Sequence, residues 1–255
     1  MLLALDVGNT NIVLAVFDED NLVADWRIRT ERDRTADEHG ILVTDLLRLK
    51  TVDPESITGV AISNVVPTMR STLIEFTRSY FDQEPFLVGA DTNFGISIHY
   101  DPPSDVGADR LMNAIAAFAK YGGPAVVVDF GTGTTFDAVG ANGDYLGGAI
   151  AAGIGISTDA LFQRAARLYR VDLKSPAKAV GTNTVMALQS GIMFGFAGQV
   201  DALVKRFRHE IGENARVIAT GGLADVIKEE SETIELVDQM LTLDGLKMLW
   251  ERNRG

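Results

Sequence analysis

Leu2-Leu-Ala-Leu-Asp6-Val-Gly-Asn-Thr-Asn11 and Ala125-Val-Val-Val-Asp129-Phe-Gly-Thr-Gly-Thr134 carry one pattern. A buried apolar strand ends in aspartate, and an apolar residue, a glycine and small polar residues follow. After each stretch the chain turns back as a strand, over Ile12–Phe17 in the first case and Thr135–Val139 in the second. A third strand is predicted over Trp26–Thr30 in the first copy and Tyr145–Ile150 in the second, the latter after the tight turn Asn142-Gly143. The two stretches read as copies of a duplicated β-meander, the second starting about half way along the chain.

Helical spacing of apolar residues fills the intervals over Ala36–Lys50, Thr68–Tyr80, Ala108–Tyr121, Thr184–Glu210 and Gly245–Arg252. A further buried strand is predicted over Ala215–Ala219, ending in Thr220-Gly-Gly222. Alternation of strands and helices makes the class α/β. Gly191, Gly195 and Gly198 in the long helix mark close helix packing, within the subunit or across a two-fold axis. The chain has 255 residues, 46% hydrophobic and 23% charged, enough for one large domain or for two domains of roughly 100–150 residues each. Its net charge of −12 argues against nucleic-acid or anionic-membrane binding, both of which need positive fields. With no cysteine and three scattered histidines, thiolate chemistry is impossible and a histidine cluster is disfavoured. The chain opens directly into Leu2–Asp6 without a signal-peptide core, and no apolar run nears the ~20 residues of a membrane span. A cytoplasmic protein is expected.

The two turns suit a phosphate chain. Glycine lets backbone N–H groups approach and point inward, and threonine and asparagine add short side-chain donors. Asp6 or Asp129 at a strand end can hold a cation directly or through its water shell, which offsets repulsion between carboxylate and phosphate. Taken singly, each turn also reads as a hairpin with an acidic turn residue; as a matched pair they favour nucleotide phosphates. There is no Gly-Lys-Ser/Thr of a P-loop. Gly131-x-Gly133 and Gly153-x-Gly155 lack the third glycine of a dinucleotide fingerprint.

The order of motifs resembles the superfamily of acetate kinase, sugar kinases, heat-shock chaperones and actin, and within it the type III pantothenate kinases. The motifs are Asp6-Val-Gly-Asn-Thr-Asn11, Val106-Gly-Ala-Asp-Arg110, Asp129-Phe-Gly-Thr-Gly-Thr-Thr-Phe-Asp137, Gly147-Gly-Ala-Ile-Ala-Ala-Gly153, Thr184 with Ser190-Gly191, and Ala219-Thr-Gly-Gly222. The chain departs from the family where a proline is expected before Gly153, at Asp101-Pro-Pro103 after Tyr100, and at Asp238-Gln239. The resemblance implies two duplicated ribonuclease H-like (actin-like ATPase) domains, residues 1–115 and 116–255, with a central cleft and the last helix returning to the first domain. It implies transfer of the ATP γ-phosphate to pantothenate, with magnesium, a potassium or ammonium ion, and a homodimer. By motif, Asp6, Val7, Gly8, Asn9, Thr10, Asn11, Ile12 and Val13 line the ATP phosphates, with Asp6 meeting magnesium through water. Thr132 touches the nucleotide, and Gly221 and Gly222 lie under the adenosine. Asp129 holds the monovalent cation. Tyr100, Gly107, Ala108, Asp109, Arg110 and Thr184 contact pantothenate, Thr184 from either subunit, and Asp109 accepts the hydroxyl proton.

Several of these residues have plainer readings. Asp105 or Asp109 can cap the helix that follows, with Arg110 in a surface ion pair. Thr184 can be an N-cap, Tyr100 a rim aromatic, Thr220-Gly-Gly222 a strand-to-helix turn, and Asp129 a strand-end acid. Asp137 has an open role, hydrogen bonding within the second hairpin being one. Two rival functions remain: a phosphohydrolase of the same fold, which needs no Arg110, and a noncatalytic accessory factor in transcription.

Overall fold

The structure is a computed structural model that describes residues 1–165 and 168–254. The chain divides into two compact units. The first comprises Met1–Phe94, Gly107–Met112 and Thr242–Gly255; the second comprises Gly95–Val106 and Asn113–Leu241.

In the first unit, β1 (Leu2–Val7), β2 (Asn11–Asp18) and β3 (Asn21–Arg29) form the antiparallel meander. β4 (Gly59–Asn64) and β5 (Phe86–Leu87) add in parallel, giving the order β3-β2-β1-β4-β5. Leu3, Leu5 and Val7 on β1 and Val60 and Ile62 on β4 point into a core closed by α1 (Ala36–Leu49) and α2 (Arg70–Phe81) through Val43, Leu47, Leu73 and Phe76. The alternate residues Leu2 and Ala4 of β1 are buried as well. Burial of both faces explains why this strand reads as an unbroken apolar run. α1 starts at a capping box: the Thr35 side chain accepts from the Glu38 N–H, and the Glu38 carboxylate accepts from the Thr35 N–H at 2.7 Å. The Thr35 backbone N–H, and after it the Thr35 hydroxyl, holds the Glu38 carboxyl below its ordinary range.

The second unit repeats the plan. β6 (Ala125–Phe130), β7 (Gly133–Val139) and β8 (Tyr145–Ala152) form the meander, and β9 (Arg216–Gly221) and β10 (Leu236–Val237) add in parallel, in the order β10-β9-β6-β7-β8. α5 (Thr184–Ile211) links β8 to β9 as α1 links β3 to β4. α6 (Ala224–Lys228) links β9 to β10 as α2 links β4 to β5. The registers match too: Asp6 stands opposite Val13 and Ser63, and Asp129 opposite Thr135 and Thr220. The duplicated α/β plan expected from the two turns is therefore present strand for strand.

Three more helices complete the chain: α3 (Ala108–Tyr121), α4 (Ile154–Arg164) and α7 (Leu241–Asn253). Gly59 sits where a Cβ would collide with the Trp250 ring of α7, and a Cβ on Gly245 would strike the Met112 backbone. Lys247 on α7 is buried and bonds Asp20 at the β2–β3 turn and Glu251, each at 2.8 Å. Before α7, Asp238 accepts from the Tyr121 hydroxyl at 2.8 Å and the Met240 N–H at 3.0 Å, so a carboxylate fixes a turn where proline was expected.

The structure narrows one packing expectation. Gly191, Gly195 and Gly198 are exposed on α5, and among the described residues no atom lies within 4 Å of a Cβ added at any of them. Of the two packings left open by the sequence, the one within the subunit finds no contact at these glycines among the described residues.

Candidate functional site

The first turn begins where β1 runs out. Asp6 is half-buried at the strand end, while Asn9 and Thr10 are exposed. The Gly8 N–H donates to the Asn11 carbonyl at 3.0 Å and closes the turn. The end of β3 straps it from outside. The Thr30 hydroxyl donates to the Gly8 carbonyl at 2.7 Å, and the Thr30 N–H donates to the Thr10 carbonyl at 3.0 Å. Arg32 Nη2 donates to Asn9 Oδ1 at 3.2 Å. Val7 and Ile12 send their side chains into the core, so these two can serve a ligand only through the backbone. Thr30 and Arg32 carry no motif of their own; their part depends on the third strand ending beside the turn.

The second turn is built the same way and more tightly. Asp129 is half-buried at the end of β6, and Gly131 and Thr132 are exposed. Asn113 on α3 donates to Asp129 Oδ2 at 3.1 Å. Gly221 has φ +92°, and a Cβ there would lie 2.6 Å from Asp129 Oδ1 and 2.7 Å from the Phe130 nitrogen. Only glycine suits that position, on conformation and on space. Gly153, the N-cap of α4, lies against the carbonyls of Gly131 and Thr132. Gly222 is exposed beside Gly221. Asp137 is fully buried and accepts from the Tyr145 hydroxyl at 2.8 Å and the Thr135 hydroxyl at 3.1 Å. These two side-chain bonds brace the hairpin.

The Gly107–Arg110 segment opens α3. Asp109 Oδ1 accepts from the Arg110 N–H at 2.9 Å, and a Cβ on Gly107 would come 2.5 Å from that same oxygen. Glycine at 107 therefore leaves room for the carboxylate. Arg110 is 5% exposed, which removes the reading of a surface ion pair. A guanidinium taken out of water is costly unless it meets an anion or several acceptors.

Tyr100 is half-buried, its ring 6.4 Å from that of Tyr145. The strand-like run before it is held to β8: the His99 N–H donates to the Tyr145 carbonyl at 2.8 Å, and the Tyr145 N–H donates to the Ser97 carbonyl at 2.9 Å. Thr184 is exposed at the first residue of α5. It is not the N-cap. Asn183 takes that role, its side chain accepting from the Met186 N–H at 2.9 Å, and the Thr184 hydroxyl is left to other work.

Among the described residues no group of three or more histidine, aspartate or glutamate side chains could cage a metal. A divalent ion held by one carboxylate and substrate phosphates is the chemistry that Asp6 fits. Among the described residues no helix is long and apolar enough to cross a membrane.

Two Asp-led turns on duplicated meanders mark the actin-like ATPase fold. Solved structures with this fold include the activator of 2-hydroxyisocaproyl-CoA dehydratase from Clostridium difficile with bound ADPNP (TM-score 0.59, 14% identity, 99% of this chain and 97% of that one). Another is the inorganic polyphosphate/ATP-glucomannokinase from an Arthrobacter species (TM-score 0.51, 12% identity, 99% of both chains). The family model described as type III pantothenate kinase matches residues 2–206. The type III pantothenate kinase of Geotalea daltonii is 52% identical over 254 residues, covering 100% of this chain and 99% of its own. The chain belongs to the type III pantothenate kinase family, and is an ATP-dependent kinase. Neither the hydrolase nor the accessory-factor reading is favoured by these relatives.

Proposed function

We propose that this chain transfers the γ-phosphate of ATP to the primary hydroxyl of pantothenate, giving 4′-phosphopantothenate, the first step toward coenzyme A. The observation that carries the reading is the Gly107–Arg110 segment, a carboxylate and a buried guanidinium together at the start of α3, in a chain of this family. Asp109 accepts the hydroxyl proton as the oxygen attacks the γ-phosphorus, and the bond to the β–γ bridging oxygen breaks to release ADP. Phosphoryl transfer is largely dissociative, so the base need not be strong. Positioning and charge neutralisation supply most of the rate. Arg110 grips an anionic group of a substrate with paired hydrogen bonds. Tyr100, Gly107, Ala108 and Thr184 complete the pantothenate contacts.

The backbone from Asp6 to Val13 cradles the phosphates, Thr132 touches the nucleotide, and Gly221 and Gly222 underlie the adenosine. Magnesium, when bound with ATP, neutralises phosphate charge, and Asp6 is the residue that would hold its water shell. Asp129, oriented by Asn113, would hold a potassium or ammonium ion. In this reading the chain is a cytoplasmic enzyme of two ATPase-like domains. The exposed glycines of α5, with no described atom packed on them, support a homodimer through that helix, with Thr184 at its start. A coupled assay of ADP release with pantothenate, in potassium and in sodium buffers, tests the reading. Activity is expected in potassium and loss of most of it in sodium; full activity in sodium alone would remove the role of Asp129.

A further inference from the structure

We propose that Ser63 is a positioning residue for the magnesium-bearing nucleotide: its hydroxyl, beside Asp6, gives the ion's water shell a second hydrogen-bonding partner. The inference rests on the reading of Asp6 given above and extends it to a residue that none of the sequence motifs contains.

Ser63 lies at the end of β4, the strand parallel to β1, and is the register partner of Asp6. Residues paired in this way project to the same face of a sheet. On β4 the opposite face is the core face, with Val60 and Ile62 in the hydrophobic cluster. Gly59, Ala61 and Ser63 occupy the Asp6 face, and of these only Ser63 carries a polar side-chain atom. Ser63 is 0% exposed, and its Oγ has no hydrogen-bond partner among the described residues.

A buried hydroxyl without a partner is unfavourable, and alanine of the same shape would remove the penalty. Serine at a site that merely fills space is therefore the poorer choice. The second unit sharpens the argument. Thr220, also buried, is the register partner of Asp129 on the parallel neighbour β9. A hydroxyl thus stands beside the strand-end aspartate at the same register in both copies. Packing alone gives no reason for that recurrence, since the core-facing neighbours differ, Ile62 in one copy and Ala219 in the other. An aspartate that holds a hydrated ion does give a reason. A single carboxylate orients few of the ion's waters, and a hydroxyl beside it can accept from or donate to another.

The test compares wild-type protein with Ser63→Ala by thermal melting. Each is melted without ligand, with pantothenate, and with a nonhydrolysable ATP analogue over a magnesium titration; steady-state kinetics accompany the melts. Expected for Ser63→Ala is a ligand-free melting temperature equal to or above wild type, and an unchanged response to pantothenate. The magnesium concentration giving half of the nucleotide-induced shift should rise about tenfold. KM for MgATP should rise by a similar factor, with kcat altered less. An unchanged magnesium midpoint in a wild-type background that does respond would overturn the role of Ser63 and leave that of Asp6 standing. A ligand-free melting temperature several degrees below wild type would also overturn it, by showing a structural hydrogen bond. If wild type itself shows no magnesium-dependent nucleotide shift, the reading of Asp6 fails, and Ser63 with it.

Discussion

Replacing Gly153 by alanine isolates the contribution of the second turn. Gly153 has φ −65° and ψ 155°, a conformation open to any residue, so the substitution adds no backbone strain. All of its effect comes from where the new methyl falls. It would lie 2.8 Å from both the Gly131 carbonyl oxygen and the Thr132 carbonyl carbon, and closer still to the Thr132 oxygen. Ordinary van der Waals contact needs about 3.5 Å, so either the turn or the start of α4 must shift by roughly 1–1.5 Å. The turn residues Gly131 and Thr132 are exposed, and they are expected to give way. Misplacement of about 1 Å in a positioning element can cost on the order of 100-fold in rate. The expected loss in kcat/KM for ATP is therefore about 10- to 100-fold, beside an overpacking cost of about 1–3 kcal/mol in stability. Initial rates against ATP at saturating pantothenate, together with thermal melts, measure both effects. Gly155→Ala, two residues on and with nothing within 4 Å of its Cβ, is the matched control and should behave as wild type. Wild-type kcat/KM for ATP in Gly153→Ala would refute the assignment of this turn to the nucleotide.

Asp109→Asn should retain nucleotide binding and the fold while kcat falls at least about 100-fold, as for loss of a general base; near-normal turnover would sink that role. His39 is 2% exposed on α1, and burial, with Arg34 as a lesser cause, pushes it down to about 4 from an ordinary 6.5. The fold thus favours the neutral imidazole: its contribution is complete above pH 6.5 and is lost as pH falls toward 4, about 3 kcal/mol in all. Urea titrations at pH 7 and pH 4.5 should show a loss in wild type that is markedly smaller in His39→Leu; equal losses would contradict the burial argument. Gly195→Leu, on the exposed face of α5, should turn the proposed homodimer into a monomer by sedimentation without lowering helix content. A dimer that persists unchanged places the interface elsewhere.

Much of this was legible in the chain because the decisive features are local. The strand, aspartate and glycine turn at Asp6 and again at Asp129 announce both meanders, and the helix over Ala108–Tyr121 falls on its predicted bounds. Where the sequence misled, distant contacts decide. β4 and β5 escaped notice because a short parallel strand gains its stability from its neighbours and carries no turn signal of its own. β3 begins at Asn21, before the predicted Trp26, because hairpin pairing with β2 extends it through exposed residues. α7 begins at Leu241 and not Gly245, since the segment is fixed by Asp238 and by packing at Met112. In the site, the motifs pointed to the turns but not to what supports them. Thr30 and Arg32 follow β3, Asn113 lies on α3 and Ser63 on β4, and only the fold brings each beside its turn.

The reaction proposed for this chain moves phosphate from ATP to pantothenate. Product analysis by phosphorus NMR, with ATP alone and with ATP plus pantothenate in potassium buffer, tests it most directly. The account predicts one phosphopantothenate for every ADP and little ADP when pantothenate is withheld. ADP and inorganic phosphate formed equally with or without pantothenate would contradict it.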